Sequence, residues 1–109
     1  MERLFIYGSL RPGGPNEHVL TAIGGEWRPA VVKGRLIESG WGASMGYPGL
    51  VIDESGDDVH GHIFVSSNLD NHWAYLDEFE GEEYEHIVAS ATLVGGEQVQ
   101  ADVYVLRGR

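Results

Sequence analysis

The chain has 109 residues, of which 42% are hydrophobic and 22% charged, a composition typical of one globular domain. It contains no cysteine, which excludes disulfide bonds, thiolate metal sites and a cysteine nucleophile. The formal net charge of −10 repels phosphate backbones and anionic lipids, so we expect neither nucleic acid nor membrane partners. The predicted organisation is a single domain over residues 1–109.

The apolar run nearest the N-terminus, Leu4–Tyr7, is too short for the core of a signal peptide or for a membrane span. We therefore predict a cytoplasmic protein. The same run ends at Gly8 and predicts a short buried strand.

The rest of the first half predicts short elements separated by turns rich in glycine and proline. They are, in order, a loop at 11–16, a weak helix at Glu17–Ile23 stopped by Gly24-Gly25, a strand at Arg28–Ser39, a loop at Gly40–Gly49 and a strand at Leu50–Ile52. Gly34 inside the long strand predicts a bend or a close approach of another backbone.

The second half predicts three strands and one convincing helix. These elements are a strand at Val59–Ser66 with Gly61 inside it, a helix at Asp70–Glu80 with Asp70 as N-cap and Gly81 just after its end, and strands at Tyr84–Val94 and Val99–Leu106. Gly95-Gly96 predicts a hairpin between the last two strands. About six strands with one or two helices indicate an α+β fold, a small closed or nearly closed barrel.

Six acidic residues crowd the end of the predicted helix, and five of them fit a solvated acidic face. Glu80 differs, because at 3.6 residues per turn it falls between Leu76 and Trp73 on the apolar face. Burial would raise the pKa of this carboxyl by favouring its neutral form, which suits a group that moves protons near pH 7. The alternative is that the helix frays before Glu80, which Gly81 would allow.

The turn after the first strand, Tyr7-Gly8-Ser9-Leu10, is a candidate binding loop. Successive backbone N–H groups in such a turn can converge on an anion, and Ser9 adds a hydroxyl group. Tyr47 and Tyr84 are further candidates for lining a pocket, although both residues more often serve in packing.

In order along nearly the whole chain, the sequence resembles the γ-glutamylcyclotransferase-like family. The segments that carry the resemblance are Tyr7-Gly8-Ser9-Leu10, Gly34-Arg35-Leu36, Tyr47-Pro48-Gly49, Val59-His60-Gly61 and Leu76-Asp77-Glu78-Phe79-Glu80-Gly81, followed by Tyr84. The resemblance implies a compact mixed β-barrel with flanking helices. Length and pattern look closer to the γ-glutamylamine-type branch of the family.

The resemblance also implies a reaction and its residues. The α-amine of a γ-glutamyl compound attacks the γ-carbonyl of the same molecule, which yields 5-oxoproline and a free amine without any cofactor. Glu80 would be the proton acceptor, and Tyr7, Gly8, Ser9 and Leu10 would hold the glutamyl moiety. Family members often carry arginine two residues after the tyrosine that follows the helix; this chain has His86 there, which bears on substrate class and activity.

Three alternatives stay open at this point. His60 and His62 share one face of a strand and, with His86 or Glu80, fit a zinc site. A non-catalytic domain that binds a small carboxylate would need the same pocket. Ser9 with a histidine would suggest a hydrolase, but the chain has no Gly-x-Ser-x-Gly motif. The oligomeric state and the identity of the leaving amine do not follow from the residues.

Overall fold

The computed structural model describes residues 2–8, 10–37 and 49–107. In this part of the chain the elements are, in order, β1 (Arg3–Ile6), α1 (Glu17–Ile23), β2 (Glu26–Ile37), β3 (Gly49–Ile52), β4 (Asp57–Val65), a 3₁₀ turn (Leu69–Asn71), α2 (Trp73–Glu80), β5 (Tyr84–Leu93) and β6 (Gln98–Leu106). None of the helices in these ranges has the length and hydrophobicity that a membrane span requires.

The strands form a closed five-stranded barrel with one further strand outside it, which confirms the predicted fold class. The sheet order is β3-β2-β4-β1-β6-β5, and a pairing between β2 and β5 closes the barrel. β1 and β6 pair in parallel and all other neighbours are antiparallel. The barrel is therefore mixed, as the family resemblance implied.

The long strand β2 is the element at which the barrel closes. One edge of β2 pairs with β4 from Glu26 to Gly34. The opposite edge pairs first with β5, at Ala30 and Val31, and then with β3, from Gly34 to Ile37. β3 is thus placed against β2 beyond the point of closure, outside the ring.

Both interior strand glycines lie where another backbone approaches closely, as predicted. A Cβ at Gly34 would come within 2.5 Å of the Val51 carbonyl oxygen on β3. A Cβ at Gly61 would overlap the carbonyl oxygen of Ile6 on β1. Larger residues at these positions would push neighbouring strands apart.

Alternation along the strands creates two apolar clusters on opposite faces of the sheet. The inner cluster combines residues of the barrel strands with Leu50 of β3, and its buried members are Phe5, Ala30, Val32, Leu50, Val59, Ile63, Ala91, Ala101, Val103 and Val105. The outer cluster, where the helices pack, contains Leu4, Ile6, Leu10, Val19, Leu20, Ile23, Val51, Phe64, Leu69, Leu76, Tyr84, Tyr104 and Leu106. The outer cluster is the one that α2 covers.

Several predicted boundaries are wrong, and one prediction lies largely outside the described residues. β2 begins at Glu26 instead of Arg28, and β4 spans Asp57–Val65 instead of Val59–Ser66. The helix predicted from Asp70 is divided, since Asp70 belongs to the 3₁₀ turn and α2 begins at Trp73. The Asp70 carboxylate does not cap α2 but accepts the indole N–H of Trp73 at 3.1 Å. Gly49, predicted in a loop, begins β3, where the Leu106 side chain occupies the space beside it. The remainder of that loop, 40–48, is not described.

Candidate functional site

Helix α2 continues through Glu80, so the carboxyl group is held on a regular turn. Gly81 follows with φ of +87°, and its N–H donates to the Asp77 carbonyl oxygen at 3.0 Å. Left-handed φ values cost glycine nothing, and this turn ends the helix cleanly. The helix therefore does not fray before Glu80.

The face of α2 that carries Glu80 lies against the outer cluster. Leu76 is fully buried one turn earlier, and Trp73 and Phe79 are partly buried against the same cluster. Glu80 is itself partly buried, whereas Glu78 is exposed. Burial raises the pKa of the Glu80 carboxyl to about 7. A carboxyl group with such a pKa can exchange a proton near neutral pH.

Tyr7, which directly follows β1, has its hydroxyl group held between two other strands. The hydroxyl donates to the Tyr104 carbonyl oxygen on β6 at 2.7 Å and accepts the Leu50 N–H on β3 at 3.1 Å. Burial raises the pKa of Tyr7 well above its ordinary value, and the charge of Glu80 and nearby Tyr84 raise it further. Glu80 and Tyr84 thus both lie within electrostatic range of Tyr7, although the three residues come from separate parts of the chain.

The other predicted site residues have different surroundings. Leu10 is buried in the outer cluster, and the Gly8 carbonyl oxygen accepts the Arg11 N–H at 3.1 Å in a tight turn. Tyr84 is buried at the start of β5. Ser9 and Tyr47 lie outside the described residues.

A polar network beside α2 was missed at the sequence level. His86 on β5 places Nδ1 3.0 Å from Asp77 Oδ1 and Nε2 2.7 Å from Asp102 Oδ1. The Tyr104 hydroxyl donates to the same Asp77 oxygen at 2.6 Å. One signal was present in the sequence: Asp102 is the lone charged residue in β6 and is followed by an apolar run.

His60 and His62, the candidate zinc ligands, do not converge on one point with a third ligand in the described part of the chain. His60 is exposed on β4, and His62 is partly buried two residues further on. Within the ranges 2–8, 10–37 and 49–107, no group of three histidine or acidic side chains is arranged to hold a metal ion. His86, the third ligand considered, is bound to two carboxylates instead.

Residues 4–109 match the family model described as gamma-glutamyl cyclotransferase, AIG2-like. The fold is similar to that of an AIG2-like protein from Mus musculus, with a TM-score of 0.75 and 24% identity over 100% of this chain and 79% of that one. YkqA from Bacillus subtilis is similar over 97% of this chain and 36% of its own length, with a TM-score of 0.73 and 24% identity. A protein from Arabidopsis thaliana has a TM-score of 0.68 and 23% identity over 98% of this chain and 69% of that one. No curated protein sequence matches.

Proposed function

Since the chain belongs to the AIG2-like γ-glutamyl cyclotransferase family, we propose that it cyclises the glutamyl part of a γ-glutamylamine. The products are 5-oxoproline and a free amine. The proposed substrate is a small molecule, and the reaction requires no cofactor, because nucleophile and electrophile belong to the same substrate.

The reaction needs a group that first accepts a proton and then returns it. The substrate's α-ammonium group must lose a proton before its nitrogen lone pair can attack the γ-carbonyl carbon. When the bond from that carbon to the leaving nitrogen breaks, the leaving amine takes up a proton. One carboxyl group with a pKa near the working pH can serve as base in the first step and as acid in the second.

The observation that carries the proposal is the burial of Glu80, which raises the pKa of its carboxyl to about 7. At neutral pH such a group exists in both forms in similar amounts. Exposed Glu78, on the same helix, lacks this burial. We therefore assign the proton transfers to Glu80.

Binding of the glutamyl moiety is proposed for the turn after β1, with Tyr7, Gly8, Ser9 and Leu10. Tyr47 and Tyr84 are proposed to line the same pocket. An intramolecular reaction gains most of its rate from holding the amine against the carbonyl carbon, and backbone N–H groups can stabilise the developing oxyanion. The Tyr7 hydroxyl, bonded to β6 and β3, supports this part of the proposal because it ties β1 to its neighbours where the turn begins.

The test is the release of 5-oxoproline from a panel of γ-glutamylamines by the wild type, Glu80→Gln and Glu78→Gln. Glutamine keeps the size of glutamate but cannot accept the proton. Glu80→Gln should lower kcat by about 10²–10⁴-fold, the range for a general acid–base group, and Glu78→Gln should leave it unchanged. Equal rates in the wild type and Glu80→Gln would refute the assignment.

The pH profile gives a second readout of the same assignment. The base must be ionised, so kcat/KM should rise with pH and level off above about 7, where the Glu80 carboxyl is ionised. A chain that binds 5-oxoproline or a γ-glutamylamine but releases no product from any compound in the panel would favour the non-catalytic binding domain.

A further inference from the structure

His86 makes two hydrogen bonds to carboxylates, and a neutral imidazole could donate only one of them. Nδ1 lies 3.0 Å from Asp77 Oδ1, and Nε2 lies 2.7 Å from Asp102 Oδ1. Neutral histidine has one N–H group and ionised carboxylates only accept hydrogen bonds, whereas imidazolium donates from both nitrogens. The contacts fit a cation held between two anions.

Aromatic rings on both sides of His86 favour the same charge state. The ring centroid of Trp73, on α2, lies 4.7 Å from that of His86, and the ring of Tyr104, on β6, lies at 5.0 Å. Cations within about 6 Å of an aromatic ring are attracted by its quadrupole. The side chain of His86 is 25% exposed, so these interactions are partly shielded from water.

Asp102 is the partner that depends most on this cation. Its side chain is 10% exposed, and in the described part of the chain its Oδ2 is buried without a hydrogen-bond partner. A buried carboxylate is costly unless an opposite charge compensates it. His86 supplies that charge from the neighbouring strand.

The same network reaches the helix that carries Glu80. Asp77 lies one helical turn before Glu80, and its Oδ1 accepts hydrogen bonds from both His86 and the Tyr104 hydroxyl. The cleft around this network has a volume of about 370 Å³ and is lined by further charged residues. Besides Asp77, His86 and Tyr104 it is lined by Glu78, Gly81, Glu82, Tyr84 and Arg107.

We propose that His86, as an imidazolium between Asp77 and Asp102, is a positioning residue that joins the last turn of α2 to β6 and thereby sets the charge environment of Glu80. The inference builds on the proposed function, in which Glu80 is the base. Its physical content is that one cation offsets two carboxylates, of which Asp77 lies on the helix that carries that base. Without the cation, the negative charge of Asp77 would disfavour ionisation of Glu80.

The charge state of His86 can be measured directly on the wild-type protein by long-range ¹H–¹⁵N NMR at neutral pH. We expect both ring nitrogens to show the shifts of protonated imidazolium. A pattern with one protonated and one unprotonated nitrogen would overturn the proposal. This experiment needs neither a variant nor a substrate, so it stands even if the chain releases no 5-oxoproline.

The effect on Glu80 is tested by ¹³C NMR titration of its carboxyl in His86→Gln, His86→Arg and the control His60→Gln. His60 is an exposed histidine on β4, outside the network. His86→Gln removes the cation, and the Glu80 midpoint should rise by about one pH unit, as expected for loss of a nearby opposite charge. Arginine keeps a permanent cation with several N–H donors, and His86→Arg should restore the midpoint.

The change expected in kcat/KM follows from the ionised fraction of Glu80. A midpoint one unit higher lowers kcat/KM at pH 7 by about fivefold in His86→Gln, and the rate should recover at higher pH. An unmoved Glu80 midpoint in folded His86→Gln, or a shift that His86→Arg fails to reverse, would overturn the proposal. If His86→Gln does not fold, the wild-type measurement of the His86 ring decides.

Discussion

The two faces of β6 carry different kinds of residue although they belong to the same strand. Val103 and Val105 point into the barrel, where their neighbours are apolar. Asp102 and Tyr104, which alternate with them, contact His86 and Asp77 on the outer face. The difference teaches that apolar packing in the barrel interior holds the strands together, whereas the outer face, covered by α2, carries a hydrogen-bonded polar network.

The largest expected effects come from truncating one buried side chain on each face. Leu76→Ala, under α2, and Ile63→Ala, inside the barrel, remove side chains that are 0% and 1% exposed. Each should lower the free energy of unfolding by about 2–5 kcal/mol in urea titrations. Only Leu76→Ala should also lower kcat, on the order of tenfold, because Leu76 supports the turn that holds Glu80. Equal loss of kcat in both folded variants would contradict the proposed difference between the outer face and the barrel interior.

A comparable effect is expected in the pH dependence of stability. The pKa of Glu80 is raised from 4.5 to about 7 in the folded state. Between these values the folded state retains a proton that the unfolded state has lost, so the wild type loses stability as pH rises through this window. Relative to Glu80→Gln, which does not titrate, the loss should reach about 3 kcal/mol by pH 7 and stay constant above it. Urea unfolding of both proteins from pH 4 to 8 measures the difference; parallel curves would contradict it.

A smaller effect is expected at the link between β1, β3 and β6. Tyr7→Phe removes the hydroxyl that bonds the Tyr104 carbonyl oxygen and the Leu50 N–H. Leaving such groups without this partner should cost about 1–3 kcal/mol of unfolding free energy. The control is Tyr75→Phe, because Tyr75 is 54% exposed, and it should change stability by less than about 0.5 kcal/mol. If both variants lose the same stability, the hydroxyl of Tyr7 does not link the strands.

The smallest expected effect compares two glycines that both have positive φ but lie in different regions. Gly81 follows Glu80 with φ of +87°, and Gly96, in the hairpin between β5 and β6, has φ of +94°. An added Cβ would meet no described atom within 4 Å at either position. Alanine should therefore cost each about 1 kcal/mol through its conformation alone. Only Gly81→Ala should change kcat, since it alters the turn next to Glu80; a change of kcat in Gly96→Ala would argue against this.

Much of the local structure was predictable because it depends on neighbouring residues. Glycines at 24, 81 and 96 take positive φ where the sequence predicted a stop or a turn. The start of α2 was not predictable in the same way. Asp70 has the chemistry of an N-cap, but its carboxylate bonds the indole of Trp73 within a separate 3₁₀ turn.

The candidate site was predictable only in part. The position of Glu80 on the helix follows from 3.6-residue periodicity, which is a local property. The role of His86 as a bridge could not be read in this way, because Asp77 and Asp102 lie 9 and 16 residues from it along the chain. The alternative of a zinc site at the histidines relied on spacing along β4 and left out the carboxylates that His86 contacts.

Taken by itself, the sequence determined the order of strands and helices, the turns at glycines and the one acidic residue on the apolar face of α2. These depend on periodicity and backbone conformation, which act over a few residues. Only the tertiary structure decided that β2 closes the barrel on β5, that Tyr7 bonds a residue 97 positions away, and that His86 lies between two carboxylates. Such contacts depend on strand register and on the packing of α2 against the sheet, and distances along the chain do not encode them.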